Sequence, residues 1–190
     1  MRFEENGERI NDLSLILSRT ANAATKFDAD GISLRFMNKE FVTSQSLDGI
    51  RNAQDIERLI GKNGQAGAVQ FSGLTPLGTQ LKAQVITPMV TTPLRNRQLA
   101  KPVLVIVITD GQPAGESRDT LKNAIQSTIA DSEAAYGRGA RPVSFQIAQV
   151  GNDKAARDFL GELDDDPTIG DFVDCTSSKY QIHFPMSVDG

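Results

Sequence analysis

The stretch that most constrains the fold is VLVIVITDG, residues 103–111. Its six consecutive aliphatic residues predict a strand covered on both faces, as in the centre of a parallel sheet. The run ends in Asp110, and ligands of open parallel sheets bind outside the carboxyl ends of the strands. Asp110 therefore has two interpretations: a carboxylate at a binding site, or the start of an ordinary Asp-Gly turn that only hydrogen-bonds local amides.

Segments with helical spacing alternate with short apolar runs along the rest of the chain. The predicted strands are 32–37, 103–108, 143–150 and 172–173. Residues 41–43 are predicted to extend the first of these or to pair with it. The predicted helices are 8–26, 53–60, 77–89, 121–129 and 156–163. The glycine-rich residues 61–73 predict no regular structure. This order predicts an α/β fold, with a doubly wound, mostly parallel sheet flanked by helices on both faces.

Bulk composition excludes several classes of protein. A chain of 190 residues predicts one domain. The net charge of −4 and the pI of about 5.0 offer no basic patch for nucleic acid and no polybasic membrane surface. No apolar run approaches the roughly 20 residues of a membrane span, and the polar start of the chain favours a cytoplasmic location. Cys175 is the only cysteine, which excludes an intrachain disulfide and a cysteine-based zinc site.

The segment FSGLTPLGT, residues 71–79, carries the next candidate chemistry. Its glycine spacing is that of a phosphate-binding loop, but Thr79 and Gln80 stand where lysine and a hydroxyl residue are needed. Thr75 followed by Pro76 is typical of a helix start, with threonine as the N-cap. Ser117 is predicted to cap the helix over 121–129 in the same way.

Three other candidates have simpler interpretations. His183, the single histidine, is predicted to lie on the surface near the end of the chain. Asp110 has Gln112 two residues later, whereas phosphoaspartate hydrolases use a second aspartate there. The acidic residues 162–166 lack the ligand spacing of an EF-hand loop and predict a solvated helix end.

Several segments taken in order resemble a von Willebrand factor A (vWA) domain, most closely the intracellular ones of fungi. They are DGISLRFMN, SGLTPLGTQL, KPVLVIVITDGQP, VSFQIAQVGND, FLGELDDD and FVDC. The resemblance covers roughly residues 3–175, and the pair GLTPLGT and ITDG is its most specific part. It implies a vWA-like domain over residues 1–176, a three-layer sandwich, followed by a C-terminal tail over 177–190.

The resemblance implies a non-enzymatic protein–protein interaction module with a metal-ion-dependent adhesion site. In the family, three loops at the carboxyl edge of the sheet hold one Mg²⁺, or Mn²⁺ or Ca²⁺ in its place. The positions that match two of these loops are Thr75 and Asp110. An acidic side chain of a protein partner would complete the coordination, and all-oxygen ligation suits such ions.

The chain departs from the family at its start, because no D-x-S-x-S motif occurs in it. In the family this motif ends the first, central strand, so we expect the sequence to begin just after it. Without that strand the core would lack about five buried side chains, each worth roughly 1.5–3 kcal/mol. The free energy lost is comparable to the whole stability of a domain, about 5–15 kcal/mol. We therefore expect a marginal fold, unpaired strand edges unless they close on each other, and weak or absent metal binding.

Two alternatives stay open. One is a degenerate, metal-free scaffold in which Thr75 only caps a helix. The other is a small α/β enzyme that uses Asp110, although the sequence offers no evident second catalytic group. The chain does not identify the protein partner.

Overall fold

The computed structural model describes residues 8–38, 47–62, 65–69, 71 and 73–176. The helices are α1 (Glu8–Phe27), α2 (Ala53–Ile60), α3 (Leu77–Leu81), α4 (Thr92–Arg95), α5 (Thr120–Tyr136) and α6 (Lys154–Asp164). The strands are β1 (Gly61–Lys62), β2 (Gln65–Ala66), β3 (Val103–Thr109), β4 (Val143–Gln149) and β5 (Val173–Thr176). A π-helical segment (Lys82–Thr91) joins α3 to α4, and a 3-10 turn (Gly170–Phe172) precedes β5. The protein is thus mixed α/β, and no helix in this part of the chain is long and apolar enough to cross a membrane.

The main sheet has three parallel strands in the order β3-β4-β5. Val103 lies opposite Val143, so β3 and β4 are in register over all seven of their residues. β5 pairs with β4 from Phe145 onward. β1 and β2 form a separate antiparallel pair of two residues each, so the prediction of no regular structure across the glycine-rich stretch was wrong.

β3 is covered fully on one face and only in part on the other. Val105, Val107 and Thr109 are buried, whereas Leu104 is 60% exposed. The buried side chains of the three strands and of the helices from α3 to α6 share one hydrophobic cluster, which we call the main core. The continuous apolar run had predicted two covered faces, and that prediction was wrong because those helices all pack on the same side of the sheet.

A second hydrophobic cluster contains α1 and α2. In α1 the buried positions are Leu13, Leu17 and Ala21, as the helical spacing predicts. Ile108 of β3 packs against this second cluster, on the side of the sheet opposite the main core. The arrangement is compatible with helices on both sides of a sheet, although the second side is covered only near the end of β3.

The extended segment that follows α1 is not a full strand. Ile32 forms one isolated antiparallel bridge with Ile50, and the amide of Leu34 donates to the carbonyl of Leu47 at 2.7 Å. No bridge joins residues 32–36 to β3 within the part of the chain that is described. The expectation for 41–43 falls on residues outside that part.

The predicted helix over 77–89 changes its winding after one and a half turns. The buried positions are Leu77, Leu81, Ile86, Val90 and Leu94. A π-helix has more residues per turn than an α-helix, so full burial falls on Ile86 and Val90. Val85 and Met89, which a spacing of four had selected, are only partly buried. Pro88 lies inside this segment and has no N–H to donate to the preceding turn.

The caps of the later helices follow the sequence only in part. α5 begins at Thr120 with Asp119 at the N-cap position and no side-chain cap. Ser117 accepts from the amide of Thr120 through its carbonyl, not its hydroxyl, so the predicted serine cap was wrong. In α6 the carboxylate of Asp153 accepts from the amide of Ala156 at 2.7 Å, which is an ordinary aspartate N-cap.

Candidate functional site

Asp110 lies directly after β3, at the carboxyl edge of the sheet. Its side chain is 18% exposed, and its Oδ2 lies 3.4 Å from Nη1 of Arg9, whose side chain is 10% exposed. The loop after β4 closes on the same arginine, since a Cβ added to Gly151 would lie 2.5 Å from its Nε. Arg9 therefore brings a positive charge from α1 to the point where β3 and β4 end.

Thr75 lies in the loop that precedes α3, and this loop is hydrogen-bonded to the loop that follows β3. The carbonyl of Thr75 accepts from the amide of Ala114 at 2.9 Å and from the amide of Leu77 at 2.8 Å. The two segments that carry Thr75 and Asp110 thus meet at one edge of the sheet. Thr75 does not cap α3, because Pro76 holds the N-cap position and no side-chain cap comes from it.

The cap of α3 comes instead from Glu116. Its Oε1 accepts from the amide of Gly78 at 2.7 Å, and its Oε2 accepts from the amide of Thr79 at 2.8 Å. The hydroxyl of Thr79 also donates to Oε2, at 2.7 Å. A carboxylate at a helix N-terminus is favourable because it satisfies free amides and faces the positive end of the helix dipole. Sequence reasoning missed this residue, since it lies 37 to 38 positions away from the amides it binds.

A third segment reaches the same loops from the other hydrophobic cluster. The side-chain amide of Asn38 donates to the carbonyl of Leu74 at 3.0 Å. The side chain of Gln84 donates to the carbonyl of Phe36 at 2.9 Å. The segment that follows α1 is therefore hydrogen-bonded both to the loop before α3 and to the π-helical segment after it.

The acidic residues near the end of α6 have structural partners. Asp164 accepts from the amide of Cys175 at 3.0 Å. Asp166 pairs with Lys122 at 2.6 Å, and this hydrogen bond, followed by those from Thr168, holds the pKa of Asp166 well below its usual range. Glu162 pairs with Arg118 at 2.7 Å. These contacts fit the interpretation of a helix end better than a calcium loop.

The described residues contain no cluster of three or more histidine, cysteine, aspartate or glutamate side chains arranged to hold a metal ion. Burial raises the pKa of Cys175 to about 12, with smaller effects from Asp164 and Asp174. His183 lies outside the described residues. No family model, no curated protein and no solved structure matches the chain, so the vWA resemblance and the roles of Thr75 and Asp110 stay predictions.

Proposed function

We propose that this chain is a non-catalytic protein–protein interaction module of vWA type. The observation that carries the proposal is the hydrogen bond from Ala114 to Thr75, which joins the TPLGT loop to the loop after Asp110. Two segments that the family uses in one site are thereby neighbours at the carboxyl edge of a parallel sheet. This edge is where ligands of such sheets bind.

The donor set at this edge fits a resident divalent ion poorly. Asp110 is the one carboxylate that the resemblance assigns, and the guanidinium of Arg9 already lies 3.4 Å from it. A divalent cation beside Asp110 would also lie close to this positive charge, and repulsion between partly buried charges is screened less than in water. We therefore propose that Mg²⁺ binds weakly or not at all, and that Arg9 supplies positive charge at the edge.

This contact also favours the second candidate, a metal-free interaction scaffold of the same fold. In that case the partner binds the loops themselves, which are held by the carboxylate of Glu116 and the carbonyl of Thr75. An enzyme that uses Asp110 has less support. Catalysis by Asp110 would need a neighbouring group that transfers a proton. The guanidinium beside it is unsuited to this role because arginine stays protonated at neutral pH.

Calorimetric titration with Mg²⁺ and with Mn²⁺ separates these candidates. The wild type is expected to bind with a Kd weaker than about 1 mM, the weak end of oxygen-ligand sites. Arg9→Met is expected to strengthen binding at least about tenfold by removing the competing charge, and adding Asp110→Ala in the same chain should abolish the gain. Asp158→Ala, which removes an exposed carboxylate of α6, is the matched control.

The outcomes have distinct meanings. No heat from either ion in the wild type or in Arg9→Met would leave the metal-free scaffold as the function. Tight binding by the wild type that survives Asp110→Ala would contradict the assignment of this site. Saturable turnover of a substrate that Asp110→Ala abolishes would overturn the non-catalytic proposal itself.

A further inference from the structure

The π-helical segment is held in place at both of its ends. Leu81 before it and Leu94 after it are buried in the main core. On the α3 side, Gly78 packs closely against the backbone of α5. On the α4 side, Arg95 pairs with Asp131 of α5 at 2.9 Å. The winding between these ends can therefore change only in ways that leave both ends where they are.

The segment is wound more loosely than an α-helix. The fully buried positions, one in each turn, are Leu81, Ile86, Val90 and Leu94. From position 81 to position 94 the chain thus uses thirteen residues for three turns, whereas an α-helix uses about eleven. The widest step is the one of five residues from Leu81 to Ile86, which we call the wide turn. The other two steps have four residues each.

The sequence places a second aliphatic residue beside the one that the wide turn buries. Val85 directly precedes Ile86, is partly buried, and already packs against the main core. With the wide turn over 85–90 instead of 81–86, the buried positions would be 81, 85, 90 and 94. Both ends would stay in place and the core would still receive an aliphatic side chain. The two registers differ only in whether Ile86 or Val85 fills this position.

Pro88 restricts the wide turn to these two places. In an α-helical turn the proline ring clashes with the carbonyl four residues earlier, and here that carbonyl belongs to Gln84. In each of the two registers one of these residues lies inside the wide turn, which separates the ring from the carbonyl. A third register, with the wide turn over 89–94, would keep both in an α-helical turn. The proline therefore disfavours this third register, which would bury Met89.

The side chain of Gln84 distinguishes the two remaining registers. Its Nε2 donates to the carbonyl of Phe36 at 2.9 Å and to Oε1 of Gln80 at 2.7 Å. Moving the wide turn from 81–86 to 85–90 advances residues 82–85 around the helix axis by up to about 100°, the angle of one α-helical residue. This rotation carries the amide of Gln84 away from Phe36. The hydrogen bond thus belongs to the register that buries Ile86.

This hydrogen bond connects the main core to the carboxyl edge of the sheet. Phe36 packs on the second hydrophobic cluster. Asn38, two residues later, donates to the carbonyl of Leu74 in the loop before α3 at 3.0 Å. Release of Gln84 removes one of the ties that hold the segment after α1 against α3 and its loop. A change of register in the main core therefore affects how this loop is held.

We propose that the π-helical segment is a conformational switch with two registers, in which Val85 replaces Ile86 in the main core and Gln84 loses its carbonyl partner. Packed interiors favour two discrete arrangements over continuous deformation. The register with Ile86 is the major one because it buries one more CH₂ group and keeps the hydrogen bond. The switch requires neither a metal ion nor a partner, so its failure would leave the proposed function unaffected.

Relaxation-dispersion NMR on the full chain tests the proposal, because it detects exchange on the microsecond to millisecond timescale. The probes are the methyl groups of Val85 and Ile86 and the side-chain amide of Gln84. The wild type is expected to show dispersion at all three, with one common exchange rate. The minor population obtained from these curves is the quantity to compare between variants.

A pair of substitutions in the segment should move the two populations in opposite directions. Ile86→Val makes the two competing side chains identical. It should raise the ratio of minor to major register about fourfold, the equivalent of one buried CH₂ group. Val85→Ala removes the replacement side chain and should lower this ratio at least about tenfold. The matched control is Ile147→Val in β4, a fully buried position outside the segment, which should leave the ratio unchanged.

Two results would overturn the proposal. One is flat dispersion at the three probes in both the wild type and Ile86→Val, which would mean that the segment has a single register. The other is an exchange process whose populations Val85→Ala leaves unchanged. In that case Val85 would not be the side chain that enters the core.

Discussion

Replacing Gly78 by alanine provides a stringent test of how α3 packs on α5. A Cβ built on Gly78 would lie 2.4 Å from the amide nitrogen of Leu121 and 2.6 Å from its Cα. Both neighbours are backbone atoms, so no flexible side chain can move aside. Because an ordinary contact begins near 3.4 Å, α3 has to move away from α5 by about 1 Å.

The magnitude follows from two opposing contributions. Displacing α3 loosens the packing of Leu77 and Leu81 in the main core, and overpacking of this kind costs about 1–3 kcal/mol or more. Alanine is favoured over glycine within a helix by only about 0.5–1 kcal/mol. A clash of this depth with backbone atoms lies at the upper end of that cost, about 3 kcal/mol. After the helix preference is subtracted, the free energy of unfolding should fall by about 2–2.5 kcal/mol, which lowers Tm by roughly 4–10 °C in a chain of this length.

The matched control is Gly161→Ala in α6. A Cβ at Gly161 would have no atom within 4 Å, so only the gain in helix preference remains, about 0.5–1 kcal/mol. Urea unfolding followed by circular dichroism measures both variants. The same substitution is thus expected to destabilise the protein at position 78 and to stabilise it at position 161. A neutral or stabilised Gly78→Ala would refute the packing of α3 against α5.

The remaining predictions concern a helix cap and a thiol. Glu116→Gln should lower the free energy of unfolding by about 1–2 kcal/mol, because it removes the charge from three hydrogen bonds at the start of α3. Glu133→Gln, whose long 3.4 Å contact adds little, should stay within about 0.5 kcal/mol in the same urea assay. Burial raises the pKa of the Cys175 thiol from 9.0 to about 12, so little of it is present as thiolate. Alkylation at pH 8 should therefore be about a thousand-fold slower in the folded protein than in urea, and equal rates would contradict this burial.

Two of the elements, α1 and β4, were predictable because their signals are local. The spacing of Leu13, Leu17 and Ala21 predicted α1 to within one residue of its end. The apolar residues of β4 predicted that strand to within one residue as well. In both cases each residue and its neighbours within one turn or one pleat carry the whole pattern.

The details that failed depend on contacts between distant residues. Thr75 looked like a helix cap, but Glu116 performs that role from 37 to 38 positions away. The carboxylate of Asp110 gave no sign that Arg9, 101 positions earlier, would lie beside it. Such pairs form only when elements dock, and nothing in the local sequence around either partner records the other.

Local sequence patterns specify that helices alternate with aliphatic strands in this protein and that one strand ends on a carboxylate. Tertiary structure alone decided that the helices from α3 to α6 share one face of the sheet, which leaves Leu104 exposed, and that an arginine from α1 meets Asp110. A run of aliphatic residues indicates that a strand forms and that much of it is buried, but it does not fix which of its side chains are covered. Which face is covered, and which edge is paired, depends on where the other elements pack.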